Sequence, residues 1–344
     1  MRRPATMATE TTARVAIPLE LGLADPVPAP IQDIGGRTMG TSWSAKFVGS
    51  AAAAQTMRRA IDADLGRVVA QMSTWEANSN ISRFNDGRTG VWHSLPSEFA
   101  VVIAAALRIA EESGGAFDPT MGPLVDLWGF GPLGRPPVPP AAGEIAQRRD
   151  ICGWQQLEFD PVGRRLRRTI PVRLDMNAIA KGFAVDLALA TLRRHGIHHA
   201  LVEIGGELGG AGVKPDGTPW WVDIDAPSSD ATFDTAPLRV ALHGLAIATS
   251  GRERGYPGDG RHLSHTIDPR SGMPIDNRVV TATVLHASCM EADAYATALM
   301  VMGVDAAIEF ASRHALAVAI RYHPDHDPTM IEERLSPALH AMLD

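Results

Sequence analysis

The stretch Ser288-Cys289-Met290-Glu291-Ala292-Asp293-Ala294-Tyr295-Ala296-Thr297-Ala298-Leu299-Met300 joins the signs of a helix start to two oxygen-bearing side chains. Ser288 can accept from the N–H three residues on, and Glu291 can reach back to Ser288, the pattern of a capping box. Asp293 and Thr297 then stand at i and i+4 and share one helix face. A carboxylate and a hydroxyl one turn apart, amid Ala, Leu and Met, are hard oxygen ligands of the kind Mg²⁺ takes. Such pairs are also common on ordinary helices, so this segment alone leaves both readings open. Cys289 could carry a lowered thiol pKa in the first turn. It reads more simply as a small packed residue.

Two further segments could meet such a cation. Asp175-Met176-Asn177-Ala178-Ile179-Ala180-Lys181-Gly182 joins a strand to a helix N-terminus. Its free N–H groups and positive dipole end attract anions. Lys181 and Gly182 would allow a phosphate to come close; a solvated lysine in an ordinary first turn is the plain alternative. His265-Thr266-Ile267-Asp268-Pro269-Arg270-Ser271-Gly272 offers a histidine that could act as a general base or orient one. A lone histidine is more often structural, and Asp268 could serve the turn rather than a ligand. The run Gly205-Gly206-Glu207-Leu208-Gly209-Gly210-Ala211-Gly212 is not G-x-G-x-x-G and leads into a hairpin. It reads as tight strand-crossing turns, and a dinucleotide-binding Rossmann unit is not supported. There is no HExxH, CxxC pair, G-x-S-x-G or P-loop.

The elements that must position these residues do not alternate as a doubly wound fold would. A strand with a tight turn at Met39-Gly40 is expected over 37–48. Helices are expected over 51–69, 96–113, 178–195, 292–302 and 304–314, and short strands dominate from 157 onward. That pattern predicts an α+β fold. With 344 residues, 45% hydrophobic, the chain can bury one large core or two modest ones. A net charge of −7 without a basic patch argues against a nucleic-acid partner. No run of 18 apolar residues occurs, so no transmembrane segment is expected. Cys152 and Cys289 are too few for a disulfide framework. Residues 1–31, rich in Ala, Thr and Pro, read as a mobile arm ahead of a single domain over 32–340. Arg2-Arg3 hints at a twin-arginine start, but Glu10, Arg14, Pro18 and Glu20 interrupt the apolar run that export requires. The expected location is cytoplasmic, with the periplasm as the alternative if that start is an atypical export signal.

Read together, the motifs fall in one order: Met39-Gly40-Thr41; Met72-Ser73-Thr74-Trp75 with Ser82-Arg83-Phe84-Asn85; Phe117-Asp118-Pro119-Thr120; Asp175 to Gly182; Gly205-Gly206-Glu207; Thr249-Ser250-Gly251; His265 to Pro269; and Ala292 to Ala298. In this the chain resembles the ApbE family, the FAD:protein FMN transferases, from about residue 37 to 303 and on to the strand near Tyr322. The resemblance implies mixed, largely antiparallel sheets with flanking helices and an FAD cleft between two halves. It implies that FAD is the substrate and Mg²⁺ the cofactor, and that FMN moves onto a Ser or Thr hydroxyl of an acceptor flavoprotein as AMP leaves. Carried over by motif, Asp293, Thr297 and the carbonyl of Ala178 would hold Mg²⁺. Met39, Trp75, Asp118, Asp175, Lys181 and Ile267 would contact FAD. His265 would take the acceptor's proton, with Asp268 as a candidate helper. Trp75 stands where the family usually shows Tyr, and Ser271 where it often shows Thr. The alternatives are an Mg²⁺-dependent FAD pyrophosphatase, with water as nucleophile, and a non-catalytic FAD-binding protein.

Overall fold

A computed structural model describes residues 13–19, 25–134, 136, 138–224, 233, 235–252, 256–258 and 261–343, the strands at 256–258 and 261–263 by backbone only. Its frame is an antiparallel sheet of eight strands. Their spatial order is Glu332–Leu335, Ala317–Tyr322, Val279–His286, Leu245–Gly251, Glu207–Ala211, Ala200–Ile204, Thr41–Val48 and Ile31–Thr38. Side chains alternate between its two faces, as the pleat requires. In Leu245–Gly251, Ala246 and Ala248 enter the larger core, whereas Ile247 enters the smaller core behind the sheet.

The helices Ala51–Met72, Ala180–Arg194 and Cys289–Met302 cover the first face. A three-stranded sheet of Arg14–Ala16, Leu238–Leu242 and Trp220–Ile224 covers the second. Only its Arg14–Ala16 strand runs parallel to its neighbour. The result is the expected α+β class with mixed, largely antiparallel sheets.

Several local expectations need correction. Arg14–Ala16 lies inside the segment read as a mobile arm, yet it pairs with Leu238–Val240, and Arg14 forms an ion pair with Glu333 at 2.6 Å. The open edge of a short sheet takes this strand, and burial of Ala16 rewards it. The Arg2-Arg3 start lies outside the described residues. The glycine run is also less of a turn than its composition suggested. Only Gly205-Gly206 turns, and Glu207–Ala211 continues as a strand of the large sheet. A Cβ on Gly210 would stand 2.5 Å from Cβ of Leu242, so the missing side chain lets the small sheet settle onto the large one.

The helices Ala180–Arg194 and Cys289–Met302 hold each other by their first turns. The Asp186 carboxylate accepts hydrogen bonds from Ser288 Oγ at 2.7 Å and from the N–H groups of Cys289 and Met290 at 2.8 and 3.1 Å. It thus fills donors that a helix N-terminus leaves open. In return, Gly182 donates its N–H to Asp293 Oδ2 at 3.1 Å. Only half of the expected capping box forms. Ser288 Oγ accepts from Glu291 N–H at 3.4 Å, but the Glu291 carboxylate turns outward to Arg108 at 2.7 Å. The Ser288 N–H goes to His286 Nδ1 instead.

Cys289 lies buried in this joint, where burial and the charges of Asp186, Asp293 and Glu207 push its thiol pKa well up. It is a packed residue, as the plainer reading held. At Gly182 the contact is closest: an added Cβ would stand 2.2 Å from the Cys289 carbonyl oxygen. Gly182→Ala is therefore expected to cost about 2–3 kcal/mol by forcing the helices apart. Urea unfolding should show it as a lower midpoint with an unchanged slope.

Candidate active site

Five segments converge at the N-terminal end of the Ala180–Arg194 helix. Asp293 is 4% exposed, and Thr297, one turn on, lies with its Oγ1 3.2 Å from Ser250 Oγ. Ala178 sits in the turn that enters the Ala180–Arg194 helix. Its carbonyl is the one that Gly182 would take in a regular helix, but that N–H is spent on Asp293. Lys181 forms an ion pair with Glu207, which is 3% exposed. The positive φ of Gly205 folds its turn against Thr41, just past the hairpin bend at Met39-Gly40. Met39 itself has φ 49°, a left-handed conformation that a methionine adopts at a cost. A two-residue bend with positive φ at both positions matches the twist of the flanking strands.

The charges here are crowded. Burial, and then the nearby negative charge of Asp293, push the Glu207 carboxyl up to about 7, while Lys181 pulls the other way. Burial also raises the pKa of Asp293, opposed by Lys181 and the Gly182 N–H. Among the described residues no cluster of three or more His, Cys, Asp or Glu is poised to hold a metal. The donor set is instead one carboxylate, one hydroxyl and one backbone carbonyl. That set fits Mg²⁺, which takes one or two carboxylates, keeps waters and completes its shell with substrate phosphates.

A polar cleft adjoins this end. Thr74, Asn85, Asp126, Arg173 and Asp175 line it. Asn85 clamps the approach to Asp175: it accepts from Leu174 N–H at 2.7 Å and donates to the Leu174 carbonyl at 2.9 Å. Asp175 accepts from Asn177 N–H and Nδ2 at 2.8 and 3.0 Å. Burial pushes its carboxyl up to about 6, with the Asn177 bonds opposing and the charge of Asp126 adding. Asp118 is tied inward, accepting from Thr120 N–H and Oγ1 and from Trp154 N–H. Burial raises its pKa above the usual carboxylate value. Trp75, next to the cleft residue Thr74, is 63% exposed and offers a bare ring face.

His265, Ile267 and Asp268 arrive on a separate ribbon, Ile267–Asp268 paired with Met273–Pro274. Ile267 is buried among Met121, Leu124 and Trp128, one residue behind Gly122 of the cleft wall. The His265 ring meets Phe130 edge-on, with centroids 6.4 Å apart. Asp268 serves its turn. Its carboxylate accepts from Arg270 N–H at 2.9 Å and pairs with the Arg270 guanidinium at 2.8 Å.

The structure thus brings Ala178, Lys181, Asp293 and Thr297 to one end of the helix pair, beside the Met39 hairpin, with Asp175 at the adjoining cleft. Trp75 and Asp118 belong to loops flanking that cleft, and Ile267 packs behind its wall, with His265 and Asp268 beside it in the chain. Sequence reasoning assigned no role to Glu207, Ser250, Asn85 or Asp186. The signal for Glu207 was present: an acidic residue opening a strand directly after two glycines.

Buried acids, a lysine and a polar cleft thus share one end of a helix pair on an antiparallel α+β frame. The chain belongs to the ApbE family, whose pattern matches residues 39–320. It is 40% identical over 295 residues to the FAD:protein FMN transferase of Vibrio cholerae serotype O1, covering 85% of this chain and 87% of that protein. It is 35% identical over 288 residues to the protein of the same name from Escherichia coli K12, covering 82% of each. The flavinyl transferase ApbE of Pseudomonas stutzeri superposes with a TM-score of 0.83 at 35% identity, over 92% of this chain and 98% of that one. The flavin transferase ApbE of Vibrio cholerae gives the same TM-score at 38% identity, over 91% and 100%.

The raised pKa of Asp175 has a consequence for stability. A carboxyl whose folded pKa exceeds its unfolded value destabilises the fold once pH rises through that interval, here from about 4 to about 6. Asp175→Asn removes the penalty. Its thermal midpoint should exceed wild type at pH 8, with the advantage fading toward pH 4. Equal midpoints at pH 8 would contradict the account of Asp175.

Proposed function

We propose that this protein transfers the FMN half of FAD to a Ser or Thr hydroxyl of an acceptor protein, in an Mg²⁺-dependent reaction that releases AMP. The convergence of Asp293, Thr297, Ala178 and Lys181 from distant segments carries this reading, supported by membership of a family whose relatives are named for FMN transfer. When bound, Mg²⁺ supplies neutralising charge at the pyrophosphate of FAD. Asp293, Thr297 and the Ala178 carbonyl are the residues that would hold it.

The chain's own groups do the rest. Lys181 offers a cation to the phosphates, and the exposed Trp75 ring stacks on an aromatic ring of FAD. Asp175 and the other polar groups of the cleft orient the substrate, and FAD lies in the cleft between the two halves of the domain. The acceptor oxygen bonds to the FMN-side phosphorus, the P–O bond to the AMP phosphate breaks, and His265 takes the hydroxyl proton.

The test is incubation with FAD, Mg²⁺ and a candidate acceptor protein, following AMP and the acceptor's mass. AMP together with a mass gain of one FMN is expected. AMP with only free FMN would make the protein a pyrophosphatase, and no AMP at any Mg²⁺ concentration would refute both chemistries. Asp293→Ala should bring turnover to background. His265→Ala should keep FAD affinity within about threefold of wild type yet lose transfer, since a proton acceptor acts on the chemical step rather than on substrate binding.

A further inference from the structure

Glu207 is a buried carboxylate with only half of its hydrogen-bonding capacity used. Oε1 pairs with Lys181, whereas Oε2 is buried and has no hydrogen-bond partner among the described residues. A carboxylate in that state is costly unless something the protein itself does not supply completes it. The neighbours narrow the choice. Lys181 pairs with Glu207, and the next residue, Gly182, donates its N–H to Asp293, so the two acids meet the same helix turn. The rigid turn at Gly205-Gly206, with φ 63° and 103°, fixes the start of the Glu207 strand. Among the described residues, two acids face a single lysine at this helix end. A bare pyrophosphate is the wrong partner for such a pocket, and a divalent cation is the right one.

We propose that Glu207 is the second acidic member of the cation site, accepting a hydrogen bond from a cation-bound water on Oε2 while Oε1 holds Lys181. Mg²⁺ sheds its hydration reluctantly, so an outer carboxylate that receives its water is a natural companion to the inner ligand Asp293. Glu207 also repels phosphate and occupies Lys181, so it favours the cation and disfavours FAD alone. The inference rests on the cation reading given under Proposed function.

Its test measures two affinities that must move in opposite directions. Mg²⁺ is titrated calorimetrically without FAD, and FAD is titrated by flavin fluorescence in EDTA at pH 8. Glu207→Gln should weaken Mg²⁺ by about tenfold and tighten FAD severalfold, because one negative charge is gone and Lys181 is released. Glu207→Asp keeps the charge and should hold Mg²⁺ within about threefold of wild type. A misfolded pocket would weaken both ligands together, so joint weakening in Glu207→Gln overturns the proposal, as does unchanged Mg²⁺ affinity. Asp293→Ala in parallel separates the two failures. If it still binds Mg²⁺ like wild type, the cation reading itself is wrong; if it loses Mg²⁺ while Glu207→Gln does not, only the role of Glu207 falls.

Discussion

Two helix N-termini, each satisfied by an acid on the other helix, hold this molecule's site together. Asp186 takes the open donors of the Cys289–Met302 helix, and Asp293 takes the Gly182 N–H of the Ala180–Arg194 helix. Neither exchange is possible unless the helices approach to backbone contact, which the absent side chain of Gly182 allows. Seated in this way, the pair sets Asp293 and Thr297 opposite the turn that carries Ala178 and Lys181. The eight-stranded sheet beneath supplies the remaining pieces from its turns and strand ends: the Met39 hairpin, the Gly205-Gly206 turn that leads to Glu207, and Ser250 near the end of Leu245–Gly251.

The site is built against the stability of the protein. Asp175, Glu207 and Asp293 all have carboxyl pKa values raised by burial, so the ionised form of each comes at a cost. A core made only for folding would place apolar residues there. Buried acids kept in this way are a common mark of a functional site. Met39 repeats the pattern in the backbone, holding a left-handed conformation at a bend where glycine would be easier. Asp118 and Asp268 have their carboxylates satisfied by donors in their own and neighbouring loops.

Local patterns carried most of what the sequence revealed. The Asp293–Thr297 spacing, the Ser288 start and the Met39-Gly40 bend depend on residues a few positions apart, where helix period and turn chemistry decide. The order of short motifs then pointed to the family. Interactions across long separations stayed hidden. Asp186 caps a helix that begins about a hundred positions later, and Arg14–Ala16 finds its strand partner at Leu238–Val240. A three-residue strand has no periodicity to read. Glu291 seemed bound to its own helix start, but Arg108 on a neighbouring helix offered a full charge instead. Glu207 was in view as part of a motif, yet its burial beside Asp293 could come only from the fold.

The central claim is that the joined first turns of these two helices create a divalent-cation anchor for the pyrophosphate of FAD. Crystals grown with FAD and Mn²⁺, examined by anomalous scattering at the manganese edge, test it most directly. A peak bonded to the Asp293 carboxylate, the Thr297 hydroxyl and a phosphate oxygen, at about 2.0–2.3 Å, is the expected result. Manganese bound elsewhere, with Asp293 and Thr297 making no bond to it, would contradict the account.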